Sequence, residues 1–112
     1  MTTSSPPASS LTFDGRAVIN GERIAARDGQ TFDCISPVGG RLLTTVARCD
    51  QRDIHVAVPA ARPAFEDRRW SGMAPAQRKR VMMQFAEQLT ANADELALTE
   101  TLDMGKPVKY AR

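Results

Sequence analysis

The chain has 112 residues, 15 Lys and Arg against 13 Asp and Glu, and a formal net charge of +2. That balance is too slight to argue for a nucleic-acid partner, and four Phe, one Tyr and one Trp leave few rings for base stacking. The 42% apolar share suits one small soluble domain or a piece of a larger one, and no apolar run approaches the ~20 residues of a membrane span.

Residues 1–14 read as a disordered leader. The first ten are Met, Ser, Thr, Pro and Ala, with nothing to bury and without the basic start and apolar middle of a secretory signal. Residues 17–24 place Asn20-Gly21 between two short apolar-bearing runs, the strongest short-range hairpin signal, because both residues accept the positive φ of a type I′ turn. A second turn follows at Asp28-Gly29. Residues 31–35 alternate and are rich in β-formers, residues 36–40 are a Pro- and Gly-bearing loop, and residues 41–47 supply another strand. Asp50 is placed to cap what comes next.

Residues 51–67 carry Ile54, Val58, Ala61 and Phe65 at helical spacing. Pro59 and Pro63 oppose that pattern, each removing a donor in a helix interior, so the expectation is a helix kinked, shortened or broken near residues 58–63. Pro75 can open the next helix, where its missing donor is harmless. That helix carries Val81, Phe85 and Leu89 in one row, with Met82 and Ala86 beside it. Arg78, Lys79 and Arg80 read as a solvated face with partners such as Glu87, the alternative being an anion-binding patch. Asn92 or Asp94 marks a break into a further helix. Leu96, Thr99 and Asp103 share one side of it, and Leu98 and Leu102 another. Gly105 is placed as a left-handed cap, Pro107 forbids simple continuation, and residues 108–112 read as the first turn of another helix.

Chemistry is sparse. There is no Gly-x-Gly-x-x-Gly after a strand, no P-loop and no Gly-x-Ser-x-Gly. His55, the single imidazole, reads as a surface residue. Two cysteines and one histidine argue against zinc. Cys34 and Cys49 read as reduced thiols of a cytoplasmic protein. Glu95, Glu100 and Asp103 lie along one helix. Asp103 is the most suggestive of them, because a carboxylate beside unpaired helix-end carbonyls is a setting for a hard cation.

The run Glu100-Thr101-Leu102-Asp103-Met104-Gly105-Lys106-Pro107 resembles the signature that closes the N-terminal helical pair of NAD(P)-dependent aldehyde dehydrogenases. Other segments resemble that family in order: Val18-Ile19-Asn20-Gly21-Glu22 its opening hairpin, Thr31 to Pro37 its strand and loop, and Ala60-Ala61-Arg62-Pro63-Ala64-Phe65 the end of its first helix. Trp70, Arg78 and Glu95-Leu96-Ala97 continue the match. The resemblance covers roughly residues 17–112 and is nearest to bacterial enzymes of aminoaldehydes, such as γ-glutamyl-aminobutyraldehyde or betaine aldehyde.

It implies a partial α/β fold. Residues 15–112 would be an N-terminal segment of strands followed by two to three helices, an incomplete flank of a Rossmann-like cofactor domain. The implied reaction is NAD- or NADP-dependent oxidation of an aldehyde to a carboxylic acid. The family's catalytic Cys, general-base Glu and cofactor motifs would lie beyond Arg112. The expectation is therefore a truncated chain with no catalytic residue and no cofactor bound on its own. The alternative is a non-catalytic module that docks on a full-length dehydrogenase through an exposed helix face. The resemblance also implies a structural monovalent-cation site at Cys34, the Ile35 main-chain carbonyl and Asp103. Position 34 is often Thr or Ser in the family, and a thiol is a softer partner for sodium or potassium.

Overall fold

The computed structural model describes Pro7 and residues 10–112; the rest of the expected leader lies outside the described residues. Strands β1 (Ala17–Ile19) and β2 (Glu22–Ile24) form an antiparallel hairpin, with Ala17 opposite Ile24 and Ile19 opposite Glu22. Asn20 and Gly21 take φ of 52° and 77°, the positive pair that a type I′ turn requires. Strands β3 (Thr31–Ile35) and β4 (Leu42–Ala47) form a second hairpin, with Cys34 opposite Thr44 and a register shift between Cys34 and Ile35. The two hairpins are separate two-stranded sheets.

Helix α1 (Gln51–Glu66) opens on Asp50, whose carboxylate accepts the Arg52 N–H at 2.8 Å, while Asp53 reaches back to the Asp50 N–H at 2.9 Å. The reciprocal bonds satisfy donors that a helix start leaves unpaired. The helix runs unbroken through Pro59 and Pro63, against the expectation of a kink or break. The two prolines are four residues apart and exposed, so they share one face. The carbonyls of His55 and Pro59, which lose their bonds, lie toward that side, where water can replace the missing donor. The φ near −65° that proline imposes is itself helical.

The buried face of α1 also differs from the expected one. Ile54, Val58 and Phe65 are 55%, 59% and 71% exposed. Ala57, Ala60 and Ala64, with Ala61 of the expected face, line a cleft of about 420 Å³ against Val18 and Ile19 of the first hairpin.

Helices α2 (Pro75–Ala91) and α3 (Ala93–Met104) meet at Asn92, one of the two expected break points. Gly105 ends α3 with φ of 79°, and α4 (Val108–Ala111) follows Pro107. The buried apolar side chains among the described residues are Ala26, Ala97 and Leu102. The chain exposes 8731 Å², against the roughly 6,100 Å² expected of a compact 12.2 kDa protein. Its radius of gyration is 17.7 Å where about 13 Å is expected for this length. It is a slab, 45 × 42 × 19 Å, with little interior of its own. No helix among the described residues is long and apolar enough to cross a membrane.

Candidate functional site

The second hairpin and the last turns of α3 meet at one corner. Ser36, 1% exposed, donates its hydroxyl to the Leu102 carbonyl and accepts the Val38 N–H at 3.1 Å. It thereby ties the β3–β4 loop to one of the carbonyls that the end of α3 leaves without a helical partner. Gly105 closes the same corner: a Cβ there would stand 3.4 Å from the Pro37 ring, and its positive φ strains any other L-residue.

This docking brings Cys34 to Asp103. The thiol donates to Asp103 Oδ1 at 3.4 Å. That bond is the main cause that pushes the Cys34 thiol upward, with burial and the carboxylate's charge adding to it. Ile35 follows Cys34 across the register shift, with its side chain 50% exposed. Two of the three expected cation residues are thus in direct contact, and the third adjoins them in the chain. Asp103 is a hard oxygen donor, but one of its oxygens already accepts the thiol's hydrogen bond. Among the described residues no group of three or more His, Cys, Asp or Glu could hold a metal ion. A hard cation takes roughly six oxygens, more than the Asp103 carboxylate and one main-chain carbonyl supply.

A cleft of about 450 Å³ opens beside the pair, with Thr44 and Val46 on one wall and Leu96, Thr99 and Glu100 on the other. The expected grouping of Leu96, Thr99 and Asp103 on one side of α3 is realised in this wall. Glu100 is held by Lys106 at 3.2 Å. Asp14, at the rim, pairs with Arg16 at 2.7 Å and Arg23 at 3.1 Å. Hydrogen bonds from the Arg16 side chain and backbone hold the Asp14 carboxyl well below the usual carboxylate range.

Cys49 is exposed beside the start of α1. Its thiol is also pushed up, first by partial loss of water around the sulfur and then by the charges of Asp53, Asp50 and Asp28. His55 is exposed on α1, as expected. Arg78 departs from the expected solvated role: its guanidinium donates to the carbonyls of Met73 and Ser71, bracing the loop before α2.

Two structural residues carry little signal in the sequence. Ser36 sits in a Ser-Pro dipeptide that reads only as a loop. Asp53 is 4% exposed and also accepts the Arg27 N–H at 3.0 Å, joining α1 to the turn after β2. Its one visible cue is an acid three residues after the cap Asp50.

The model of the aldehyde dehydrogenase family matches residues 24–112. The chain is 44% identical over 104 residues to the NADP/NAD-dependent aldehyde dehydrogenase PuuC of Escherichia coli, covering 93% of this chain and 21% of that protein. It is 44% identical over 102 residues to the aminoacetaldehyde dehydrogenase of Pseudomonas aeruginosa, covering 91% and 21%. Among solved structures, the indole-3-acetaldehyde dehydrogenase AldA of P. syringae, in complex with NAD+ and IAA, superposes with a TM-score of 0.88. It shares 57% identity, over 93% of this chain and 21% of that one. The chain spans about a fifth of the length of the curated relatives it matches.

Proposed function

Because the chain belongs to the aldehyde dehydrogenase family, we propose that it is the N-terminal segment of an enzyme that oxidises an aldehyde to a carboxylic acid with NAD or NADP, and that these 112 residues turn over no aldehyde by themselves. In the family reaction a thiolate adds to the aldehyde carbonyl, and the hemithioacetal gives up hydride. The nicotinamide cofactor, when bound by the complete enzyme, accepts that hydride.

The observation that carries the inactive reading is the state of the two thiols. Cys34 donates a hydrogen bond to Asp103 Oδ1, and the carboxylates of Asp53, Asp50 and Asp28 act on Cys49, so both thiols are pushed upward from the ordinary thiol value. A protonated thiol is a poor nucleophile. The segment's part is architectural: it presents the apolar faces of α1 and α2 to the remainder of the enzyme. Cys34, the Ile35 carbonyl and Asp103 would lend their donors to a monovalent cation completed from elsewhere. Two free thiols suit a reducing cytoplasm.

The test is NAD(P)H production by the purified chain with a panel of aminoaldehydes and indole-3-acetaldehyde. No absorbance change at 340 nm is expected. Turnover that survives removal of host enzymes and vanishes in Cys34→Ser or Cys49→Ser would overturn the reading and name the nucleophile.

A second reading is docking on a full-length dehydrogenase. The exposure of Val81, Met82, Phe85 and Leu89 on α2 supports it. Co-purification of the tagged chain with a co-expressed relative, lost when Phe85 is made charged, is the result it predicts.

A further inference from the structure

The chain's two asparagines lie in opposite settings. Asn92, where α2 meets α3, donates its side-chain amide to the Gln88 carbonyl at 2.8 Å and its backbone N–H to the same carbonyl at 3.1 Å. Asn20, at the tip of the first hairpin, is exposed, and among the described residues its carboxamide has no hydrogen-bond partner. The residue that follows it is Gly21, which has no Cβ to shield its backbone nitrogen. Nothing stands within 4 Å of the place a Cβ would take, and among the described residues the Gly21 N–H makes no backbone hydrogen bond. Asn20 and Gly21 line the cleft of about 420 Å³ between the hairpin and α1, which leaves room for water.

We propose that Asn20 is a site of spontaneous deamidation in the folded chain, with water as the co-reactant. Hydroxide takes the Gly21 amide proton, and the nitrogen attacks Asn20 Cγ. A bond forms between them, the Cγ–Nδ2 bond breaks, and ammonia leaves with a proton from water. The product is a five-membered succinimide. Water then adds to either of its carbonyls and opens the ring, giving aspartate or isoaspartate at position 20; no electrons are exchanged. Ring closure turns the Gly21 nitrogen toward Asn20 Cγ and so takes the turn out of its type I′ shape. That opening is cheap, because β1 and β2 have three residues each and form a sheet of two strands.

The other residues that could close such a ring before a glycine are restrained. Asp14, before Gly15, is held by Arg16 at 2.7 Å and Arg23 at 3.1 Å, and Gly15 is crowded by the Thr45 carbonyl. Asp28, before Gly29, accepts the Gln30 N–H at 2.9 Å and lies 3.7 Å from Arg52. The two products at position 20 differ in consequence. Aspartate keeps the turn, since Asp-Gly suits the type I′ shape as Asn-Gly does. Isoaspartate threads a side-chain methylene into the main chain, so a two-residue turn no longer sets Ile19 opposite Glu22. The hairpin's seat on α1 is lost with that register.

The test is incubation of the purified chain above neutral pH, folded and in urea, followed by trypsin and mass spectrometry, with a zero-time sample to subtract change during digestion. Cleavage after Arg16 and Arg23 isolates Ala17–Arg23, in which Asn20 is the one side-chain amide. That peptide should gain the mass difference between a hydroxyl and an amino group and split into two chromatographic forms, at a rate proportional to hydroxide. Asn20→Asp supplies the aspartyl form as a reference and should show no mass change. In the folded chain Asn20 should convert within about tenfold of its rate in urea, because the hairpin opens readily. Asn92, which must first give up two hydrogen bonds, should lag behind Asn20 by more than about tenfold. Slower conversion of Asn20 than that overturns the proposal, as does Asn92 keeping pace with it.

Discussion

Replacing Asp53 by alanine tests whether α1 is anchored through one carboxylate. Asp53 is 4% exposed and uses both oxygens on backbone donors, Oδ1 on the Arg27 N–H at 3.0 Å and Oδ2 on the Asp50 N–H at 2.9 Å. Truncation removes two charge-assisted bonds and leaves two part-buried donors without an acceptor. Each such donor costs about 1–3 kcal/mol, so Asp53→Ala should lose roughly 3 kcal/mol. Asp53→Asn keeps one acceptor oxygen and should lose about half as much. Against the 5–15 kcal/mol typical of a folded domain, the alanine loss is a large fraction.

Two measurements check this. In urea, with a slope of about 1–3 kcal/mol/M for a small protein, the midpoint followed at 222 nm should fall by at least ~1 M. Hydrogen exchange should place the effect. The Arg27 and Asp50 amides should lose about a hundredfold in protection, since 1.4 kcal/mol is tenfold, while amides in the β3–β4 hairpin change little. Unchanged protection at both amides, with an unchanged midpoint, would refute the anchoring role.

Other expectations concern the corner between the second hairpin and α3. In a Cys49→Ser background, Asp103→Asn removes the negative charge and the strong acceptor that keep Cys34 protonated; the thiol should then ionise at lower pH, and alkylation of Cys34 by iodoacetamide at pH 8 should speed up several-fold. Because Cys34 titrates higher folded than unfolded, its contribution to stability is present below the unfolded thiol value and lost as pH rises through the folded one, a loss that Asp103→Asn should reduce in alkaline unfolding curves. Gly105→Ala forces an L-residue to φ of 79° against the Pro37 ring and should cost about 1–2 kcal/mol, read as a lower thermal midpoint. For Asp14 the sign is opposite. Its carboxyl is depressed by Arg16, so its contribution holds above the unfolded carboxylate value and disappears only as pH falls through the lower folded one; an NMR titration should find Asp14 still ionised at pH 3, and Arg16→Ala should bring its transition back toward the ordinary range.

Local elements were legible where one residue's chemistry decides them. Asn20-Gly21 imposes a positive-φ turn whatever lies around it, Asp50 caps α1, and Gly105 with Pro107 ends α3 because no other continuation is available. The order of these signals also carried the family resemblance, which the match over residues 24–112 now supports. What a periodic pattern could not decide was which face turns inward. The stripe of Ile54, Val58 and Phe65 has the periodicity of a buried face, yet these three side chains are exposed and it is the alanines of α1 that line the cleft against the first hairpin. Nor do Pro59 and Pro63 break α1, since their cost depends on whether the freed carbonyls meet water or protein. The meeting of Cys34 with Asp103, 69 residues apart in the chain, and of Ser36 with the end of α3, follows from how a hairpin docks on a helix. Such contacts are set by tertiary packing, which no local rule encodes.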